Sequence, residues 1–82
     1  MGINEFRAYA LRTMCEEHLW GFGEEDVFTL KGYEYRIRLE SDGRFSLSVH
    51  LPKNKEWSKP YYFPTMGRLF CHIFERNLLS YN

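Results

Sequence analysis

Two cysteines and three histidines are the side chains of this 82-residue chain best suited to metal or nucleophile chemistry. Cys15 and His18 lie three apart, which on a helix puts both on one face. Cys71 and His72 are adjacent and would diverge by about 100° on a helix, a poor arrangement for joint ligands. No Cys-x2-Cys pair is present to complete a zinc set. A cysteine nucleophile needs a histidine base held by a third group, and no strand-to-helix elbow flanks either thiol. Both cysteines border apolar stripes, where a free thiol behaves as a small hydrophobe. His50 alternates onto the outward side of a strand, where it reads as a solvated residue. Gly21-Phe22-Gly23 lacks the further glycine and the following helix of a phosphate-cradling loop. The expectation is therefore no catalytic residue, no metal, no cofactor and two free thiols; the chain reads as a non-enzyme.

Two surfaces remain as candidates for binding. The first is the segment 16–26, where Trp20 and Phe22 sit on a glycine-flexed corner ringed by Glu16, Glu17, Glu24, Glu25 and Asp26. Large aromatics inside a charged rim suit a protein-binding epitope. The competing reading folds both rings back to close the core and leaves the acids as solubilising charge. The second surface is basic: Arg36, Arg38 and Arg44 share one strand face, and Lys53, Lys55 and Lys59 extend it. Trp57, Tyr61 and Tyr62 lie nearby and could stack on nucleic-acid bases. Against this, Glu34 and Glu40 can neutralise the arginines, and the recognition-sheet motif of RNA-binding domains does not occur.

The elements that must carry these residues are legible from periodicity. Tyr33, Tyr35, Ile37 and Leu39 alternate with polar residues, and Phe45, Leu47, Val49 and Leu51 do the same after Ser41-Asp42-Gly43. Period two over this length predicts two half-buried antiparallel strands. A two-residue loop would set apolar against polar. A three-residue loop pairs Leu39 with Phe45, Ile37 with Leu47 and Tyr35 with Val49, with Gly43 in the left-handed position. That register places Glu40 opposite Arg44 as a favourable charge pair. It buries Tyr35, Ile37, Leu47 and Val49 and exposes Arg36, Arg38, Ser46 and Ser48. Val27 to Leu30 is either a separate short strand turning through Lys31-Gly32 or the start of one bulged strand. Pro52 to Lys55 reads as a loop and Trp57 to Phe63 as a strand, with Pro60 demanding an edge or a break.

Helices flank this meander. Asn4 is a good N-cap for a helix to about Leu19, with Phe6, Ala10, Leu11 and Met14 on one face and Ile3 and Cys15 at its edges. Gly21 and Gly23 would end it. Thr65 can cap a second helix whose stripe is Met66, Leu69, Phe70, Ile73 and Phe74. The predicted fold is a single α+β domain over residues 1–82. It is a two-layer structure: a three- to four-stranded antiparallel meander with an N-terminal and a C-terminal helix packed on one face.

Composition agrees with a packed domain: 44% of residues are hydrophobic and 18% aromatic, enough to build a core in a short chain. Net charge is zero but unevenly placed. Residues 1–30 carry two basic against six acidic side chains, and residues 31–59 seven against four. Overall neutrality argues against strong non-specific nucleic-acid binding and against electrostatic DNA mimicry. No apolar run reaches membrane-spanning length. Met1-Gly2 lacks the hydroxyl residue of an acylation signal at position 6, which is Phe. Two cysteines without a signal peptide fit a reduced, cytoplasmic setting.

The stretch Val27 to Leu79 resembles a pattern in small phage and prophage accessory proteins. Its carriers here are the Asp-Gly-turned hairpin Tyr33–Leu51, the Tyr61-Tyr62-Phe63 strand and the Thr65-capped helix. Anti-CRISPR and other anti-defence inhibitors are of this type: short, without catalytic motifs, built as one α+β layer pair. Such proteins share no common site, so the resemblance implies no functional residue. The balanced charge departs from the strongly acidic DNA-mimicking members. What the resemblance implies is a non-enzymatic inhibitor acting in the host-cell cytoplasm, as monomer or homodimer, on a host protein complex that binds nucleic acid. The expected contact is the acidic aromatic corner. The alternative is a small RNA- or DNA-binding domain using Arg36, Arg38, Arg44, Lys53 and Lys55, and a third reading is an oligomer-forming structural accessory.

Overall fold

The computed structural model describes residues 1–53 and 55–79. Helix α1 spans Ile3–Cys15, a 3₁₀ turn follows at Glu17–Leu19, and four strands come next. These are β1 (Glu25–Leu30), β2 (Tyr33–Leu39), β3 (Phe45–His50) and β4 (Tyr61–Phe63), followed by helix α2 at Met66–Leu79. The strands form one antiparallel sheet in the order β1-β2-β3-β4, the meander that the alternation predicts. Val27–Leu30 is thus part of a separate strand. Its two-residue turn, Lys31 at φ 52° and Gly32 at φ 85°, has the doubly positive φ of a hairpin turn matched to strand twist.

The β2–β3 register is the predicted one: Tyr35 faces Val49, Ile37 faces Leu47 and Leu39 faces Phe45. Gly43 takes φ 89°, its N–H donating to the Glu40 carbonyl at 3.0 Å, while Glu40 N–H bonds Arg44 O at 2.8 Å. The Glu40–Arg44 charge pair does not form. Arg44 Nε turns instead to Asp42 at 2.7 Å, and Glu40 receives Arg38 at 3.7 Å and the Ser46 hydroxyl at 2.9 Å. The turn acid is nearer along the chain and costs less ordering. The Arg44 backbone N–H, then its guanidinium, hold the Asp42 carboxyl below its ordinary range.

One face of the sheet meets both helices. Phe28, Leu30, Ile37, Leu39, Phe45 and Leu47 are buried against Phe6 and Ala10 of α1 and Met66, Leu69, Phe70 and Ile73 of α2. Phe6 is the hub, its ring 5.3 Å from Phe28, 5.8 Å from Phe70 and 4.9 Å from Phe74. Such ring pairs add to their area burial. Thr65 Oγ1 accepts the Arg68 N–H at 3.2 Å, the predicted cap of α2.

Several expectations are corrected. α1 starts at Ile3, with Gly2 rather than Asn4 as its N-cap residue. The Met1 ammonium donates to Thr29 O at 2.6 Å, which fixes where the chain enters the helix. The buried stripe runs Phe6–Ala10–Thr13 with Tyr9 beside it, leaving Leu11 57% exposed; Thr13 is accommodated because its hydroxyl donates to Tyr9 O at 2.7 Å. The helix ends at Cys15 and tightens to the 3₁₀ turn, short of Leu19. Cys15 and Cys71 are free and exposed rather than bordering the core.

Tyr35 and Val49 are half-buried, because the sheet extends past the helices there. Ser46 and Ser48, on the outer face, are only 5% exposed. Longer neighbours cover these short side chains: Arg38 and Tyr62 stand opposite Ser46, and Arg36 opposite Ser48. In the segment 57–63 only Tyr61–Phe63 joins the ladder. Ser58 still exchanges bonds with Val49 at 2.8 and 3.0 Å, but Pro60 has no N–H to continue the pairing. The predicted loop Pro52 to Lys55 includes Asn54, which lies outside the described residues.

Ile37 is fully buried, whereas Arg38 is exposed one residue on. Replacing Ile37 with Ala should cost about 2–4 kcal/mol and Arg38 with Ala at most about 0.5 kcal/mol, read from urea unfolding midpoints. Equal losses would contradict the facing of the sheet.

Candidate functional site

The corner between α1 and β1 is held by contacts from three directions. Glu17, in the 3₁₀ turn, reaches across 49 residues of sequence to accept the Met66 N–H at 3.0 Å. A carboxylate there satisfies an orphan donor and faces the positive end of the α2 dipole. Trp20 turns inward and meets Phe45 edge-on at 6.1 Å. Asp26 accepts the Tyr9 hydroxyl at 2.6 Å. Burial first, then this bond to a carboxylate, push the Tyr9 phenol well above its ordinary range.

Between these anchors the backbone is closed by a short ladder. Gly23 N–H donates to Leu39 O at 2.7 Å, Leu39 N–H to Glu24 O at 3.0 Å, and Glu24 N–H to Gly21 O at 3.0 Å. Gly23 takes φ 85°, a conformation that a side chain would strain. Phe22, in the centre of this frame, is 72% exposed, and Leu19, three residues earlier, is 68% exposed.

The seven predicted corner residues therefore separate by role. Glu17, Trp20 and Asp26 are structural: a helix cap, a core lid and a hydrogen-bond acceptor for α1. Phe22, Glu16, Glu24 and Glu25 remain on the surface. Glu25 lies 3.9 Å from Arg38 with both side chains nearly half exposed, a contact of little energetic weight. Glu24 Oε1 accepts the Gly21 N–H at 3.5 Å. Sequence reasoning missed Leu19 as the second apolar group, because a continuous helix hid the 3₁₀ turn that rotates it outward. Both earlier readings of the aromatics hold in part: Trp20 closes the core, and Phe22 does not.

The basic face is brought together but paired within itself. The Arg36 guanidinium lies 4.6 Å from the Trp57 ring centre and that of Arg44 lies 4.3 Å from Tyr62. Arg38 sits between Glu25 and Glu40. His50 is half-buried rather than solvated, with Nδ1 3.0 Å from Glu34 and its ring 5.2 Å from Trp57. Tyr61 is on the opposite, helix-facing side, 6.0 Å from His72. Lys53 and Lys55 are exposed beyond the sheet. The rings that would stack on bases thus already carry cations.

Among the described residues no group of three or more His, Cys, Asp or Glu is placed to hold a metal ion. No described helix is long and apolar enough to cross a membrane. In comparisons with known proteins, no family model, no curated protein and no solved structure matches the chain.

The Tyr9–Asp26 bond is testable through pH. In the folded state the neutral phenol is favoured, so this contribution is complete below the ordinary tyrosine value of 10.0. It is lost as pH rises above that value, because the unfolded chain ionises first. Tyr9→Phe should cost about 1 kcal/mol at pH 8 and show a shallower alkaline loss of stability than the parent. Parallel pH profiles would contradict this.

Proposed function

We propose that this chain is a non-enzymatic protein-binding module, a phage-type inhibitor of the anti-CRISPR or anti-defence kind, which engages a host protein complex through its acidic corner. The observation that carries the reading is Phe22, 72% exposed at the centre of a backbone frame hydrogen-bonded to β2. An exposed aromatic on a pinned turn has already lost most of the freedom that binding would remove, so contact there costs less ordering. Leu19 adds apolar area, and Glu16, Glu24 and Glu25 form a negative rim. The complementary partner surface is basic with an apolar notch, as in the nucleic-acid groove of a defence complex. Carboxylates would speed the encounter and Phe22 would slow release. The resemblance to small phage accessory proteins points the same way and places the action in the host cytoplasm, as monomer or homodimer. Nucleic-acid binding by the outer sheet face is the alternative, and the internal pairing of Arg36, Arg38 and Arg44 weighs against it.

The test compares surfaces. Protein immobilised from the parent, from a Phe22→Ala/Glu16→Lys/Glu24→Lys variant and from an Arg36→Ala/Arg38→Ala/Arg44→Ala variant is exposed to bacterial host lysate. One partner complex should be retained by the parent and the arginine variant and lost by the corner variant, with all three folded by circular dichroism. Asp26 is left unchanged, because it supports α1. Retention by the corner variant but not the arginine variant would move the interface to the sheet. Sub-micromolar binding of a short oligonucleotide at physiological salt, with a slope flattened by the arginine changes, would replace the proposal with the alternative.

A further inference from the structure

We propose that the helix-facing side of the sheet carries a second binding site, a groove for a small apolar carboxylate, at the end of the sheet opposite the acidic corner. The alternation of β2 and β3 continues beyond the layer of Ile37 and Leu47 to Tyr35, Tyr33, Val49 and Leu51, while among the described residues of α2 the last buried apolar side chain is Ile73, with the polar Asn77 buried one turn on. The uncovered strip forms a cavity of about 440 Å³ with Leu47, Val49 and Ile73 among its lining residues. That size falls within the usual range for small-ligand sites. Tyr33, Leu51 and Tyr61 also line it and remain between 41% and 51% exposed. Three of the large apolar side chains that the fold leaves in water therefore surround a single concavity, which isolated surface residues would not do.

The ligand class follows from the polar groups. Among the described residues Arg76 is the one lining residue with a permanent charge, and no carboxylate side chain lines the groove. Among the described residues Arg76 makes no ion pair. His72 stands beside it in the lining, its ring set against Tyr61 at 6.0 Å and Phe63 at 5.2 Å. The Ser58 hydroxyl is already used, accepting from Val49 N–H and donating to Lys59 O. One guanidinium beside the apolar wall of Leu47, Val49, Leu51 and Ile73 matches one carboxylate on an apolar body, held by the two-pronged fork of arginine. Tyr33 begins β2 and Leu39, bonded to the corner, ends it. The far edge of the groove at Tyr33 is thus about 20 Å of strand from the corner.

Octanoate below its micellar concentration is the probe, with octanol and octylammonium as neutral and cationic controls. Binding is read from the methyl shifts of Leu47, Val49 and Ile73 in the full chain. Saturable octanoate binding is expected, stronger than either control and weakened about fivefold by Arg76→Gln. Val49→Trp, which fills the groove, should abolish it. Should the tryptophan variant misfold, the arginine variant and the controls still decide. Absence of saturable shifts at millimolar octanoate would overturn the proposal. So would equal binding of octanol with no effect of Arg76→Gln, or shifts confined to Phe22 and its neighbours.

Discussion

A slip of one residue between β2 and β3 would carry every apolar side chain of that hairpin to the solvent face, and neither helix would then have a surface to cover. The register is set by a loop of three residues, with Gly43 in the left-handed conformation that closes it. Once Ile37 stands opposite Leu47 and Leu39 opposite Phe45, the same face presents Phe28 and Leu30 from β1 through the Lys31-Gly32 turn. Phe6 can then meet Phe28, Phe70 and Phe74 together, so α1, α2 and the sheet share one core. Positional order elsewhere in the chain descends from that pairing.

The corner inherits its rigidity from this core. Glu17 ties it to the start of α2, Trp20 to Phe45 and Asp26 to Tyr9, while the Gly23–Leu39 bond fastens it to the end of β2. Charges that look alike in sequence are therefore unlike in use. Glu17 and Asp26 are committed to holding helices, whereas Glu16, Glu24 and Glu25 remain on the surface. The outer face of the sheet follows the opposite logic. Its cations lie over Trp57 and Tyr62 or beside Glu25 and Glu40, so the face is self-complementary and covers even Ser46 and Ser48.

Strand alternation, turn residues and the α2 stripe were legible because each is a local pattern with a fixed period. Leu39–Phe45 pairing, the Thr65 cap and the two-layer α+β architecture could be read from those alone. What escaped was set by contacts between residues far apart in the chain. The end of α1 at Cys15 depends on where Glu17 and Trp20 find partners, and a helical period extends through that region without a break. The same distance hid the inward turn of Trp20 and the outward one of Leu19. Val49 and Tyr35 were assigned to the core because alternation reports which face a side chain is on and not how far a helix extends over it. Arg44 chose Asp42 over Glu40 for reasons of side-chain reach that a register cannot supply.

The central claim is that Phe22 is displayed on an ordered frame rather than on a mobile loop. Backbone ¹⁵N relaxation of residues 19–24 measures this directly. The account predicts order parameters of about 0.8 or higher at Phe22 and Gly23, in line with rigid backbone. Values below about 0.6, the range of flexible segments, would contradict it, since the corner would then have to be ordered at the moment of binding.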